Sequence, residues 1–188
     1  HWRKIFERSG REVFDKRFQI IEALGIQPGM RIADVGAGTG LYTMLFARAV
    51  GPAERVYAVD ISESFVEAIT KRATEYHVDN VVPVVNDQQS TELPPESVDL
   101  VFLADTYHHF EYPKSMLASI HQALVPSGVL AIIDFRRLAG VSSSWVMGHV
   151  RAGRAQVIEE IQVAGFRFED EPLNLRGNYF LRFRKVDS

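Results

Sequence analysis

Apolar positions along this chain fall into two alternating kinds of run. Short, almost uninterrupted apolar stretches occupy Arg31–Val35, Arg55–Asp60, Val81–Asn86, Leu100–Asp105 and Val129–Phe135. Between them, Leu41–Val50, Glu63–Tyr76 and Pro113–Leu124 carry apolar residues at helical spacing. Strands that are apolar on both faces predict a sheet with helices on both sides. The alternation predicts a doubly wound α/β domain. Upstream, residues 2–24 predict one helix, with Ile5, Phe6, Val13, Phe14, Phe18, Ile21 and Leu24 for its apolar face, ended by Gly25 and Gln27-Pro28-Gly29. Downstream, Ser144–Gly165 predicts another helix, weakened by Gly148 and Gly153. Phe166–Pro172 and Asn178–Val186 then predict an antiparallel strand pair joined by a turn around Asn174–Asn178.

Composition narrows the function classes. The chain has 188 residues, 46% hydrophobic and 24% charged, with a net charge of −3. That is ordinary for one globular domain and gives no electrostatic reason to expect nucleic acid. The absence of cysteine removes disulfides, thiolate metal sites and a cysteine nucleophile. No apolar run reaches the length of a membrane span and no signal peptide is visible, so a cytoplasmic location is the expectation. The chain starts at His1 rather than Met, which leaves room for an upstream segment that has been removed.

The chemistry concentrates in Arg31-Ile-Ala-Asp-Val-Gly-Ala-Gly-Thr-Gly40, a strand that runs into Gly36, Gly38 and Gly40 and then into a helix. Such a turn lets a nucleotide-like ligand lie against bare backbone at the carboxyl end of a strand. A dinucleotide fingerprint needs a glycine at position 41, where this chain has Leu41, and a phosphate-binding loop needs Lys-Ser or Lys-Thr after the glycines. Asp34 sits where it would repel a pyrophosphate but attract a positively charged ligand. Asp60 closes the next strand-like run, Val56-Tyr-Ala-Val-Asp60, and is placed to accept hydrogen bonds from both ribose hydroxyls of an adenosine. Each acid has a plainer alternative as a strand terminator or helix cap.

At these residues the chain resembles the class I S-adenosylmethionine-dependent methyltransferases. The glycine turn, with Asp34, Gly36, Ala37, Gly38 and Gly40, is similar to their first motif, and Asp60 with Ile61 matches the ribose-binding position. Val84-Val-Asn-Asp87, followed by Leu93-Pro-Pro-Glu-Ser-Val-Asp99, is similar to the third signature; Asn86 stands in place of the usual glycine. The resemblance implies that Asp87 binds the adenine amino group and that Gln88 flanks the ring. Leu100-Val-Phe-Leu-Ala-Asp-Thr-Tyr-His-His-Phe110 resembles the fourth strand with its substrate-facing loop, which adds Asp105 to the cofactor side. Ala123-Leu-Val-Pro-Ser-Gly-Val-Leu-Ala-Ile-Ile-Asp134 resembles the turn and fifth strand that follow. Across residues 27–136 the resemblance implies a Rossmann-like, seven-stranded sheet, mostly parallel with an antiparallel C-terminal strand. It also implies S-adenosyl-L-methionine as cofactor, S-adenosyl-L-homocysteine as product, and a single domain over residues 1–188 in which residues 1–26 cap the site.

Ligands of an open α/β sheet bind beyond the carboxyl ends of the strands, which puts Tyr107, His108 and His109 at the mouth of the site. Methyl transfer depends on holding the nucleophile in line at about 3–3.5 Å, and a base is needed only where the acceptor must lose a proton. His109, His108 and Tyr107 are the catalytic candidates, and a packing or capping role for one histidine is an equal alternative. Trp145, His149, Arg151 and Arg136 are candidates for a substrate wall. Trp2, Phe6 and Phe14 are candidates for a lid, with Phe14 better suited to core packing. No metal is expected, because adjacent histidines on one loop are awkward ligands and a helical His-x-x-x-His pattern is absent.

The expected partner is a small-molecule acceptor, with no nucleic acid and no membrane span; the oligomeric state stays open. The central region is similar to quinone-biosynthesis methyltransferases but lacks their long substrate-domain insertions. A nucleic-acid enzyme is disfavoured because Asp105-Thr-Tyr-His108 lacks the prolines of the amino-methylating turn. A cofactor-binding partner protein without catalysis and an aminopropyl transferase remain as alternatives.

Overall fold

The computed structural model describes residues 1–187. A seven-stranded sheet runs through the centre in the order β3-β2-β1-β4-β5-β7-β6. Its strands are β1 (Ile32–Val35), β2 (Val56–Asp60), β3 (Val81–Val85), β4 (Val98–Ala104), β5 (Leu124–Phe135), β6 (Phe166–Asp170) and β7 (Asn178–Lys185). The first five pair in parallel, while β7 lies antiparallel to both β5 and β6. The Rossmann-like sheet with antiparallel C-terminal pairing expected from the sequence is therefore present. Pro83 falls in β3, an outermost strand, where the missing N–H costs the sheet least.

The apolar strands are buried on both faces. On one side Val101 and Leu103 of β4 pack with Met116, Leu117 and Ile120 of α6 (Pro113–Ala123) and with Val157 and Ile161 of α8 (Arg154–Val163). On the other side Leu100 and Phe102 of β4 pack with Ile20 of α3 (Arg17–Leu24) and with Tyr42 and Phe46 of α4 (Leu41–Val50). Against β2, Ile69 and Ala73 of α5 (Glu63–Glu75) meet Met44 and Ala58. Strand order reverses between β1 and β4, which stay parallel: the chain leaves β1 toward β2 on one side and reaches β4 on the other. That switch point, at the carboxyl ends of the strands, opens the crevice where open α/β sheets bind ligands.

Two expected helices are broken. The N-terminal run forms α1 (Trp2–Phe6), α2 (Glu12–Asp15) and α3. Gly10 has φ of 96°, its N–H donates to Asp15 Oδ2 at 2.9 Å, and Arg11 is extended, so a continuous helix cannot pass. The C-terminal run splits into α7 (Ser144–His149) and α8, with an extended Gly153 between them. Strand β5 begins at Leu124 rather than Val129, because Pro126-Ser127-Gly128 forms a bulge: Val98 pairs with Leu124 and Leu100 with Val129. No helix among the described residues is long and apolar enough to cross a membrane.

Candidate functional site

The glycine turn leaves β1 with Gly36 at φ 74°, Gly38 at 55° and Gly40 at 79°. Each glycine has its own reason to lack a side chain. A Cβ on Gly36 would lie 2.3 Å from both Thr106 Cγ2 and Oγ1, so the turn and the loop after β4 touch through bare backbone. A Cβ on Gly40 would lie 2.9 Å from Ile69 Cγ1, so this glycine lets α4 and α5 approach. Gly38 faces open space bounded by Phe6, 3.8 Å from where its Cβ would be. Gly36 and Gly38 line one side of a cavity of about 420 Å³, within the size range of small-molecule sites.

One acid holds the turn, and a second, ahead of it in sequence, is buried. Asp60 Oδ2 accepts the Gly38 N–H at 2.9 Å and Oδ1 accepts the Ser62 N–H at 2.9 Å. An ionised carboxylate has about four lone-pair sites, so two remain for a pair of vicinal hydroxyls. Asp34 is 3% exposed and accepts the Thr43 hydroxyl at 2.7 Å. Burial pushes its carboxyl up to about 7, opposed by the Thr43 hydrogen bond and reinforced by the charge of Asp60. Asp87 bends its own loop, accepting the N–H groups of Gln89 and Ser90, and lines the cavity with Asn86 and Gln88. Bare glycine backbone, an acid free to take two hydroxyls and a buried acid suited to a positive end fit an adenosine-containing sulfonium ligand.

The N-terminal segment closes the cavity from above through Phe6, Glu7, Arg11 and Val13. Glu7 accepts the Thr39 hydroxyl at 2.7 Å and an Arg72 N–H at 2.6 Å. Arg11 donates to Asp105 Oδ2 at 2.8 Å. Glu12 accepts the backbone N–H groups of Arg176, Gly177 and Asn178. Trp2 stacks on Phe6, with ring centroids 5.5 Å apart, and both meet Phe65 of α5. Asp105 itself takes a left-handed backbone, φ 51°, and its second oxygen accepts from Asn178 Nδ2 at 2.8 Å. Burial pushes its carboxyl up to about 6, helped by Asp134 and opposed by Arg11 and His108.

Histidines line another part of the same cavity. His108 and His109 lie in a 3-10 turn, Tyr107–His109, after β4. Asp134, fully buried at the end of β5, receives the His108 backbone N–H at 3.0 Å and the Phe135 N–H at 2.8 Å. Its Oδ1 is also 2.8 Å from His108 Nδ1. An acceptor-only carboxylate assigns the proton to Nδ1, which leaves Nε2 with a lone pair when the ring is neutral. The exposed rings of His109 and His149 stand beside it, with centroids 4.0 and 5.8 Å from that of His108. Burial lowers the His109 pKa, and the charges of His108 and His149 lower it further. Phe110, Met116, Phe135 and Trp145 supply the apolar part of this half.

Asp34, Gly36, Ala37, Gly38, Asp60, Ile61, Asp87, Gln88, Asp105, His108 and His109 all line one cavity. Tyr107 does not. It is 1% exposed, its ring packs in the core and its hydroxyl donates to the half-buried Glu160 Oε2 at 2.5 Å; the ring turns away from the site, contrary to the catalytic part expected for it. Gly40 lies beneath the cavity and serves helix packing. Of the wall candidates, Trp145 and His149 reach the cavity, whereas Arg151 pairs with Glu160 at 2.6 Å and Arg136 lines a separate cleft. Phe6 is the lid candidate that reaches the cavity, while Phe14 lies under the Arg17 guanidinium. Glu7, Arg11 and Asn178 carry no local sequence signal, because their partners are distant in the chain.

Residues 33–132 match the family described as a methyltransferase domain. A ubiquinone/menaquinone biosynthesis C-methyltransferase, UbiE, from Hydrogenovibrio crunogenus is 32% identical over 119 residues, 63% of this chain and 47% of that protein. The corresponding UbiE from Ectopseudomonas mendocina is 32% identical over 123 residues, 65% of this chain and 48% of that protein. The chain thus spans about half the length of these relatives. Among solved structures, an S-adenosylmethionine-dependent methyltransferase from Aquifex aeolicus superposes with a TM-score of 0.84 at 25% identity, covering 97% of this chain and 96% of that one. The [4+2]-cyclase SpnF superposes at 0.79 with 17% identity over 97% of this chain and 84% of its own, a likeness of fold alone.

Proposed function

The chain belongs to the class I S-adenosylmethionine-dependent methyltransferases, and from that premise we propose that it transfers a methyl group from S-adenosyl-L-methionine to a small-molecule acceptor. The carrying observation is that the glycine turn with Asp60 and the Asp134-held His108 line one cavity together. Gly36, Ala37 and Gly38 offer backbone to the amino-acid part of the cofactor, and Asp34 balances its positive end. Asp60 takes the ribose hydroxyls, with Ile61 beside it, while Asp87 and Gln88 face the adenine. Bound there, S-adenosylmethionine supplies a methyl group already activated for in-line displacement.

On the acceptor side Phe110, Phe135 and Trp145 exclude water and suit a flat apolar molecule. Asp134 fixes the His108 ring, and His108 orients the acceptor. His109, its pKa lowered so that the ring is neutral near pH 7, takes the acceptor's proton where one must leave. Residues 1–26 act as the cap: Phe6 and Arg11 must yield for ligands to enter and then close the cavity again. Asp105 anchors that cap through Arg11 and borders the cofactor. The names of the UbiE relatives favour a second, narrower reading, C-methylation of a quinone precursor.

A screen of small phenols, thiols, amines and quinols with S-adenosylmethionine, following release of S-adenosylhomocysteine, tests the proposal. Acceptor-dependent release is expected. Cofactor binding without release on any acceptor would favour the non-catalytic partner protein instead.

A further inference from the structure

We propose that His108, His109 and His149 form a binding site for one divalent transition-metal ion of zinc type, in the acceptor half of the cavity. The three rings come from two distant elements, the turn after β4 and α7, and one ring nitrogen of each lies within 4.8 Å of those of the other two. Points no farther apart than that share a centre at most about 2.8 Å from each. Inward movement of about 0.7 Å by each ring therefore reaches the ~2.1 Å of a zinc–imidazole bond.

Adjacent histidines argue against a metal in a sequence, because neighbouring side chains on an extended loop diverge. The 3-10 turn removes that objection. It sets the His108 and His109 rings side by side, and α7 brings His149 to within 5.8 Å of both. His108 has the support that zinc-bound imidazoles have: a buried carboxylate, Asp134, on Nδ1 fixes the ring and leaves Nε2 free to ligate. His149 is held by stacking on Trp145, with centroids 4.7 Å apart at 21°. The exposed His109 and His149 give an ion a way in.

Three imidazoles with no oxygen ligand suit zinc and its nitrogen-preferring neighbours, and do not suit calcium or magnesium. Three protein nitrogens leave a fourth tetrahedral position open to the cavity, as in catalytic rather than structural zinc sites. Ion and acceptor proton are alternative uses of the same lone pairs. With the ion bound, an oxygen, nitrogen or sulfur atom of the acceptor fills the open position and His109 no longer serves as base.

The test uses the full chain, free of any affinity tag and stripped with a chelator, titrated with Co2+ and followed by visible absorption. One equivalent is expected to give the intense bands of a tetrahedral Co2+ site, and Zn2+ is expected to displace it. His109→Ala and His149→Ala should each weaken Co2+ binding at least about tenfold. S-adenosylhomocysteine binding by calorimetry should persist in His149→Ala, which shows that the variant is folded. Co2+ binding that is octahedral, or equally tight in wild type and in a folded His149→Ala variant, would overturn the site. Loss of S-adenosylhomocysteine binding by the wild type would instead sink the methyltransferase proposal and leave the metal site standing.

Discussion

Gly36→Ala places a methyl group where Thr106 already sits. The new Cβ would lie 2.3 Å from Thr106 Cγ2 and Oγ1 and 2.9 Å from Thr106 Cβ, far inside van der Waals contact. The backbone there has φ of 74°, which favours glycine. A left-handed conformation costs a residue with a Cβ about 1–2 kcal/mol, and overpacking adds about 1–3 kcal/mol. The sum, about 2–5 kcal/mol, is a large fraction of a domain's stability. Urea unfolding followed by far-UV circular dichroism reads it as a fall in midpoint of roughly 1 M or more at the slopes usual for this size. Thr106→Gly in the Gly36→Ala background removes the clash but not the backbone strain. A double-mutant cycle should therefore show a favourable coupling of about 1–3 kcal/mol. A Gly36→Ala midpoint equal to wild type, or a coupling near zero, would refute the claim that turn and β4 loop meet through bare backbone.

Asp34 makes stability depend on pH. Its folded pKa, up at about 7, lies above the unfolded value, so the folded state holds the extra proton between about pH 4 and 7. Wild type should lose stability, on the order of 4 kcal/mol, as pH rises through that window, and Asp34→Asn should flatten the curve of urea midpoint against pH. Arg11→Met strips the partially buried Asp105 of a partner and should cost about 1–3 kcal/mol at pH 8. Less should be lost at pH 5, where Asp105 takes up a proton; midpoints at the two pH values check it. Tyr107→Phe should lower stability by about 1–2 kcal/mol through the lost Glu160 bond and leave turnover within about twofold. A tenfold fall in turnover at unchanged fold would restore Tyr107 to the catalytic set.

What the sequence makes legible here is what depends on local pattern. The five parallel strands, helices α4, α5 and α6 and the glycine turn each carry their signal within about a dozen residues, and the strands end within a few residues of expectation. The exceptions have long-range causes. Residues 2–24 do have helical apolar spacing, yet Arg11 and Glu12 are drawn out to reach Asp105 and the amides of residues 176–178, more than ninety positions away. Leu124 reads as a helix end and Val125–Gly128 as a turn because of Pro126 and Gly128, while the pairing of Leu124 with Val98 begins β5 early. Tyr107 and His108 look equivalent in a row of polar residues. Only the 3-10 turn decides that one reaches away to the half-buried Glu160 and the other faces the cavity. The grouping of His149 with His108 and His109 depends on where α7 docks, and no local spacing encodes that.

The central claim is that the wall built from the glycine turn and Asp60 holds an S-adenosyl ligand, independently of the histidine wall. Calorimetric titration of S-adenosylhomocysteine into wild type, Asp60→Ala and His109→Ala tests it most directly. Hydrogen bonds to a charged group are worth about 1.5–3 kcal/mol, so losing both ribose contacts should weaken binding by about a hundredfold or more. One-to-one binding in wild type, that loss in a folded Asp60→Ala and near-wild-type affinity in His109→Ala are the predicted results. Equal affinity in wild type and Asp60→Ala, or no binding to the wild type, would contradict it.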